Sequence, residues 1–213
     1  MNLHNKTWQL VILAMFSAII ILMAFTPIGF IPLPHMRATT IHIPVIVGSL
    51  LLGPKFGGIL GFMFGCVSLI NNTINPNPMS FVFSPFYSLP GQDGGSWFSL
   101  IIVFVPRILV GVTPWFVSQG LKKLMRERFM PVNWVVSGVV GSLTNTLLVM
   151  HLIFFLFGED WNNVRGGTTA IYAAILGVIA INGVPEAIVA GVIVAALMGA
   201  LTASIGARGG QVG

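Results

Sequence analysis

The sequence predicts an all-α integral membrane protein: six transmembrane helices, both termini in the cytoplasm, and long ordered extracellular loops. Three observations predict it. Only 7% of the 213 residues are charged and 55% are hydrophobic, whereas soluble domains carry roughly 25% charged residues. A soluble globule could not cover its surface with so few charges. Long uncharged apolar runs recur along the chain, and the basic residues fall on alternate links between them. The net charge of +5 is not gathered into a basic stripe with interleaved aromatics, which excludes nucleic acid as a partner. The single cysteine, Cys66, has no His or Cys at ligand spacing, so neither an internal disulfide nor a metal site is expected. The 25 Gly and 13 Pro lie inside or beside apolar runs, as in membrane helices rather than disorder.

The first run, Trp8–Thr26, has 19 uncharged residues, which as a helix would rise ~29 Å, about one hydrocarbon core. Lys6 ahead of it would suit a signal peptide, but the run is long for that and no A-x-A site follows. Pro27, Pro32 and Pro34 make 26–40 a link. Ile41–Gly53 and Phe56–Ile70 are short runs split by Gly53-Pro54-Lys55. They are read as two spans rather than a re-entrant pair, with Pro44 in the first turn of the first. A link rich in Asn, Pro, Ser and aromatics covers 71–96. Trp97–Gly120, interrupted by Pro106 and Pro114, is the fourth span, and Val132–Phe157 is the fifth. A polar link, 158–169, precedes Ala170–Ile205, which is long enough to tilt. Residues 1–205 form one membrane domain, and 206–213 a loose tail.

Charge orients this layout. With the N-terminus inside, the inner set is Lys6, Lys55, Lys122, Lys123, Arg126, Arg128 and Arg208, seven of the 10 basic residues. Arg37 and Arg165 fall outside, as do Asp93, Glu159 and Asp160. The bias supports inner termini, and it supports two crossings over 41–70 because that places Lys55 inside. The outer links are then the long ones, at 15, 26 and 12 residues. Long ordered loops gathered on one face are usually binding loops or lids, so a ligand is expected to enter there. No matched pair of broken helices marks two halves, which weakens a self-contained secondary transporter.

Small residues recur at every fourth position: Gly57, Gly61 and Gly65 on the third span, and Ala187, Gly191, Ala195 and Gly199 on the sixth. Such ridges bring helices close within one molecule or, less commonly, between two. Ala14 and Ala18 share the spacing on the first span. Polar groups at membrane depth are the costly ones. Arg107 requires at least ~2.5 kcal/mol on insertion scales and needs a cavity or a partner. Asn182 and Glu186 share one face of the sixth span at i,i+4, and Pro185 between them leaves the Ile181 carbonyl without its donor. Asn145 is the polar centre of the fifth span. Arg107 and Glu186 read either as a buried ion pair or as ligand groups, two readings that are compatible. Asn145 reads as an interhelical hydrogen-bonding group or a ligand contact. His35 and His42 flank Arg37 and read as surface-loop residues ahead of ligand contacts; His151 receives no role.

Catalytic constellations are absent: no H-E-x-x-H, no G-x-S-x-G and no Asp cluster for phosphate-bound metal. Gly48-Ser-Leu-Leu-Leu-Gly53-Pro54-Lys55 imitates a P-loop, but Pro54 and Phe56 break the required Gly-Lys-Ser/Thr ending. No enzyme activity, no cofactor and no ATP hydrolysis is expected of this chain.

Six spans, short second and third helices, large outer loops and Ala14-Met15-Phe16-Ser17-Ala18 on the first helix resemble the S components of energy-coupling factor vitamin transporters. The stretch Ile43-Pro44-Val45-Ile46-Val47-Gly48 through Gly53-Pro54-Lys55 looks like that family's most recognisable segment. Asn71-Asn72-Thr73-Ile74-Asn75-Pro76, Ser80 through Tyr87, and Phe104-Val105-Pro106-Arg107-Ile108-Leu109-Val110-Gly111 look like the pantothenate-specific subgroup. The resemblance covers roughly residues 8–205. It implies a multi-pass protein of the cell membrane that captures a vitamin under the first and third outer loops, against the last three helices. It implies a transmembrane coupling protein contacted through Ala14 and Ala18, and two ATPase subunits that use the ATP.

Pantothenate carries a carboxylate, an amide and two hydroxyls. A carboxylate needs a cation or convergent donors, which makes Arg107 the first candidate and Arg37 the second. Asn145, Asn182 and Asn72 suit an amide or hydroxyl. Glu186 would accept hydroxyl protons or hold Arg107, and Tyr87 and Phe81 could close over the gem-dimethyl group. The same family with riboflavin or a pyrimidine precursor would favour stacking and require no cation. A stand-alone secondary carrier would need a continuous polar path, whereas these polar positions cluster toward the outer links.

Overall fold

The computed structural model describes residues 6–26, 29–32, 37–88, 94–124, 129–164, 166 and 170–209, with only the backbone of 30–32, 37–38 and 205–209. His35, Asp93, Arg126, Arg128 and Arg165 lie outside the described residues, as do Pro27 and Pro34. The helices are α1 (Lys6–Ala24), α2 (His42–Leu52), α3 (Pro54–Ile74), α4 (Ser99–Leu124), α5 (Met130–Val164), α6 (Ile171–Val178) and α7 (Val184–Gly209). A π-helical segment, Ile179–Gly183, joins α6 to α7 in one continuous rod. Among the described residues, five rods are long and apolar enough to cross a membrane, and α2 is shorter.

Several boundaries move outward from the sequence reading. Helix α3 runs to Ile74 and α4 to Leu124. Helix α5 continues through a non-helical Phe157 to Val164, so the first part of the polar link 158–169 is helical. The last helix extends to Gly209, past the expected end at Ile205. Apolar periodicity marks where the lipid-facing stripe stops, and a helix can outrun that stripe by a turn or two. The Pro-rich link 26–40 contains an unexpected hairpin: β1 (Phe30–Pro32) pairs antiparallel with β2 (Arg37–Thr39), Pro32 opposite Arg37 and Phe30 opposite Thr39.

Local chemistry explains the tight joins. Gly53 ends α2 and starts α3 at once; its φ of 92° is the left-handed conformation that glycine adopts without a Cβ penalty. Pro54 follows at the first helical position, where its missing N–H costs nothing. Pro44 lies buried in the first turn of α2.

The small-residue ridges pack within the chain. A Cβ on Gly57 would strike the Gly111 carbonyl, one on Gly61 the Arg107 carbonyl, and one on Gly65 the Phe104 ring. Helices α3 and α4 therefore approach backbone to backbone along the segment that carries Arg107. On α7, Gly191 faces Val135 and Val139 of α5, and Gly138 of α5 faces Gly191 in return. In lipid this contact must come from van der Waals packing rather than from exclusion of water.

Two apolar clusters result. One joins α1, α2, α3 and α7 through Phe16, Ile20, Ile46, Leu60, Phe64 and Val194. The other holds Phe81 and Val82 of a short 3-10 turn (Ser80–Val82) against Val149, Ile153, Phe157 and Trp161 of α5 and Ile175 of α6. Helix α1 buries Phe16, Ile20 and Ala24 in the first cluster and packs Ile12, Leu13, Ile19 and Met23 against it.

Candidate functional site

Pro106 sits inside α4 and has no N–H to give the carbonyl of Ile102, four residues earlier. Arg107 supplies the missing donor: its Nη1 donates to the Ile102 carbonyl at 2.7 Å. The proline thus creates the acceptor that fixes the neighbouring arginine. The guanidinium lies between two rings, its carbon 5.5 Å from the centre of Phe64 and 5.3 Å from that of Phe83. Arg107 is 5% exposed and its Nε has no hydrogen-bond partner. Among the described residues no carboxylate lies within 4 Å of it, so it makes no direct ion pair with Glu186. The two feel each other's charge across a gap.

Glu186 is held from another direction. Thr39, at the end of the hairpin, reaches its carboxylate with the backbone amide and the hydroxyl. His42, in the first turn of α2, places Nδ1 3.4 Å from Glu186 Oε1. His42 is 1% exposed, and besides Glu186 its ring meets the Thr39 backbone. The surface-loop reading of His42 is therefore wrong: α2 begins one residue after Ile41, and its first turn is inside the bundle.

Pro185 explains the α6–α7 rod. It cannot donate to Ile181, and instead of a simple kink the helix widens just before it. The Val184 N–H reaches back to the Ile179 carbonyl, a π-type bond. Such bulges often appear where a helix presents functional groups. Here the widened turn carries Asn182, and Glu186 follows one turn later.

These groups meet in one cavity of about 80 Å³. Arg107, Glu186, Asn182, Asn145, Thr146 and Thr39 supply its polar lining, and Phe83, Val149, Met150, Val178 and Gly183 the rest. Asn145 is 7% exposed and its Oδ1 has no partner. Four of the residues singled out in the sequence thus converge: Arg107, Glu186, Asn182 and Asn145.

Asn72, Phe81 and Tyr87 do not line it. Asn72 clasps the loop: Nδ2 donates to the Ser68 carbonyl at 2.9 Å, and Oδ1 accepts from Ser80 Oγ at 3.1 Å. Ser80 Oγ also accepts the Asn77 N–H at 2.9 Å, and the Thr73 and Ser84 hydroxyls are 2.8 Å apart. Phe81, pinned by this clasp, is fully buried edge-on to Phe157 at 6.0 Å. Tyr87 is exposed at the loop surface, 36% accessible. Arg37 is described only in its backbone, on β2. Ala14 and Ala18 are exposed on α1. Sequence reasoning missed Thr39, Phe83, Thr146, Val149, Met150, Val178 and Gly183. Helical spacing offered part of the signal, since Val178, Asn182 and Glu186 follow each other at i+4, as do Asn145 and Val149.

A larger groove of about 760 Å³ lies between α1, α2 and α7, lined by Met15, Phe16, Ile19, Ile43, Val47, Leu197 and other mostly apolar residues. It offers no charge to an ionic or hydroxylated ligand. Among the described residues no group of three His, Cys, Asp or Glu is placed to hold a metal.

The chain matches the family described as ECF transporter, substrate-specific component, over residues 8–198. It is 36% identical to the pantothenic acid transporter PanT of Lactococcus lactis, over 93% of this chain and 95% of that protein. It is 28% identical to the pantothenate transporter PanT of Leuconostoc mesenteroides, over 97% of this chain and 98% of that one.

Proposed function

Because this chain belongs to the substrate-specific component family of ECF transporters, a multi-pass membrane component of a transporter, we propose that its polar cavity captures pantothenate at the outer face. The observation that carries the reading is Arg107: a buried cation, fixed by the Ile102 carbonyl and two rings, facing a cavity with no carboxylate within 4 Å among the described residues. A guanidinium so placed is complementary to a ligand carboxylate. Asn182 and Asn145 can each donate and accept, which suits the amide. Glu186, its carboxylate already held by Thr39, can accept from the hydroxyls. Val149, Met150, Val178 and Phe83 offer apolar contact to the gem-dimethyl group, the role that sequence reasoning gave to Phe81 and Tyr87.

The wider assembly follows the family. Six spans over one domain, 1–205, keep both termini in the cytoplasm and put the links 26–40, 71–96 and 158–169 outside. A transmembrane coupling protein docks along α1 at Ala14 and Ala18, and two ATPase subunits hydrolyse the ATP. Support comes from the exposure of both alanines and from the apolar groove beside Met15 and Phe16.

The test is vitamin binding to the purified chain in lipid nanodiscs. Pantothenate should bind, and riboflavin and thiamine should not. A folded Arg107→Ala protein should bind pantothenate at least about a hundredfold more weakly, the loss of roughly 3 kcal/mol from an unpaired carboxylate. Unchanged affinity in that variant would remove the arginine from the site. Proteoliposomes address the assembly: this chain alone should not accumulate the vitamin, and accumulation without partners would establish a secondary carrier.

A further inference from the structure

Among the described residues, the cavity's charges disfavour entry of an anion by itself. Arg107 contributes one positive charge and an ionised Glu186 one negative charge; Thr39, Asn145, Thr146 and Asn182 are neutral. With His42 unprotonated, the empty cavity is balanced. A monoanion seated on Arg107 would leave one uncompensated negative charge beside a guanidinium that is 5% exposed, and two carboxylates sharing one buried cation cannot both stay ionised cheaply. The imbalance disappears if one proton enters with the ligand.

The structure provides one place for it. His42 Nδ1 and Glu186 Oε1 are 3.4 Å apart, and the His42 ring, in a residue 1% exposed, has the Thr39 backbone as its other polar neighbour. No other titratable group competes among the described residues. From α4, Arg107 faces Glu186; from α5 the cavity receives Asn145 and Thr146, and from the hairpin Thr39. Arg37 precedes Thr39 by two residues on β2. Lys6, Lys55, Lys122 and Lys123 sit at the ends of α1, α3 and α4 remote from the hairpin. His151 Nδ1 is 2.7 Å from the Leu147 carbonyl, with its ring against Tyr172. Glu159 and Asp160 lie beyond the kink of α5, and Cys66 is half-buried on α3.

We propose that the His42–Glu186 pair is a proton-binding site within the ligand cavity, so that a carboxylate ligand on Arg107 and one proton bind together. This rests on the ligand being a monoanion such as pantothenate. The proton belongs to the pair as a unit rather than to either residue. An uncharged ligand of the same shape requires none.

The measurement is titration calorimetry of the whole chain in nanodiscs at about pH 8, where a free imidazole is neutral and a free carboxylate ionised, in buffers of different ionisation enthalpy. With pantothenate, heat should vary with buffer enthalpy at a slope of about one proton taken up, and Kd should weaken about tenfold per pH unit above that pH. Pantothenyl alcohol, which has CH2OH in place of the carboxylate, should give a slope near zero. So should pantothenate on Glu186→Gln, which keeps the shape and removes the negative charge. The wild-type buffer series decides the matter even if the variant does not fold. Normal pantothenate binding with a slope of zero overturns the proton site and leaves the ligand reading intact; no pantothenate binding at any pH overturns the ligand reading and the proton site with it.

Discussion

Replacing Pro106 by alanine should make the protein more stable and worse at binding. Proline in a helix interior costs about 3 kcal/mol relative to alanine, through the lost hydrogen bond and the ring clash. In this protein part of that cost is offset, because Arg107 Nη1 occupies the Ile102 carbonyl that Pro106 leaves open. Alanine at 106 brings an N–H to that carbonyl and competes with the guanidinium for it. A hydrogen bond from a charged donor contributes about 1.5–3 kcal/mol. Losing it frees a long side chain held otherwise by ring contacts to Phe64 and Phe83, each worth about 0.5–2 kcal/mol. Re-ordering that arginine in each binding event should weaken pantothenate by about 1–2 kcal/mol, roughly 5- to 30-fold. The assay pairs thermal unfolding of the purified variant with vitamin titration. A higher melting temperature with unchanged or tighter binding would show that the Ile102 contact does not position Arg107, and the account of α4 given above would be wrong. A general loosening of the fold would lower both quantities, so opposite signs are diagnostic.

Other perturbations separate site, clasp and partner face. Ala14→Trp and Ala18→Trp should abolish transport or co-purification with the coupling protein and leave vitamin affinity within about twofold; normal transport in both would move the docking face off α1. Asn72→Ala should lower thermal stability by about 1–3 kcal/mol, because Ser80 Oγ loses its acceptor and the Ser68 carbonyl its second, side-chain donor. Its ligand-bound and empty forms should be destabilised alike, and a loss confined to binding would return Asn72 to the ligand set.

What the sequence made legible was the part governed by period and cost. Charge scarcity and apolar runs place the helices. Small residues at four-residue spacing foretell the α3–α4 and α5–α7 contacts, since a Cβ on Gly61 or Gly191 has nowhere to go. Arg107, Glu186, Asn182 and Asn145 stand out because polar groups at membrane depth are expensive and must face something. Residues that cost nothing in lipid gave no such warning. Phe83, Val149, Met150 and Val178 line the cavity and look like any apolar residue. His42 was misread because Pro27, Pro32 and Pro34 imply a surface link. The hairpin, a tertiary feature without a periodic signature, turns the chain inward just before it. Asn72 illustrates the opposite failure: a polar residue beside a loop attracts a ligand reading, whereas the loop after α3 needs anchoring and Asn72 Oδ1 provides it by accepting from Ser80 Oγ.

The cavity's size constrains how a ligand arrives. About 80 Å³ accommodates two or three waters at roughly 30 Å³ each, whereas small-molecule sites usually enclose about 300–1,000 Å³. On the proposed reading, a vitamin gains room in this site when lining groups move apart. The rigid side is identifiable: Arg107 sits on the α4 backbone against which Gly61 packs, and Gly183 packs on Thr146. The yielding side must therefore come from elsewhere. Met150 is unbranched and adapts by rotamer change. Phe83 follows the 3-10 turn and belongs to the loop that Asn72 clasps. Thr39 ends a two-stranded hairpin that, among the described residues, has no further strand to brace it. Outward movement of Phe83 would also remove one of the two rings flanking Arg107, exposing the guanidinium to an incoming carboxylate as the cavity enlarges.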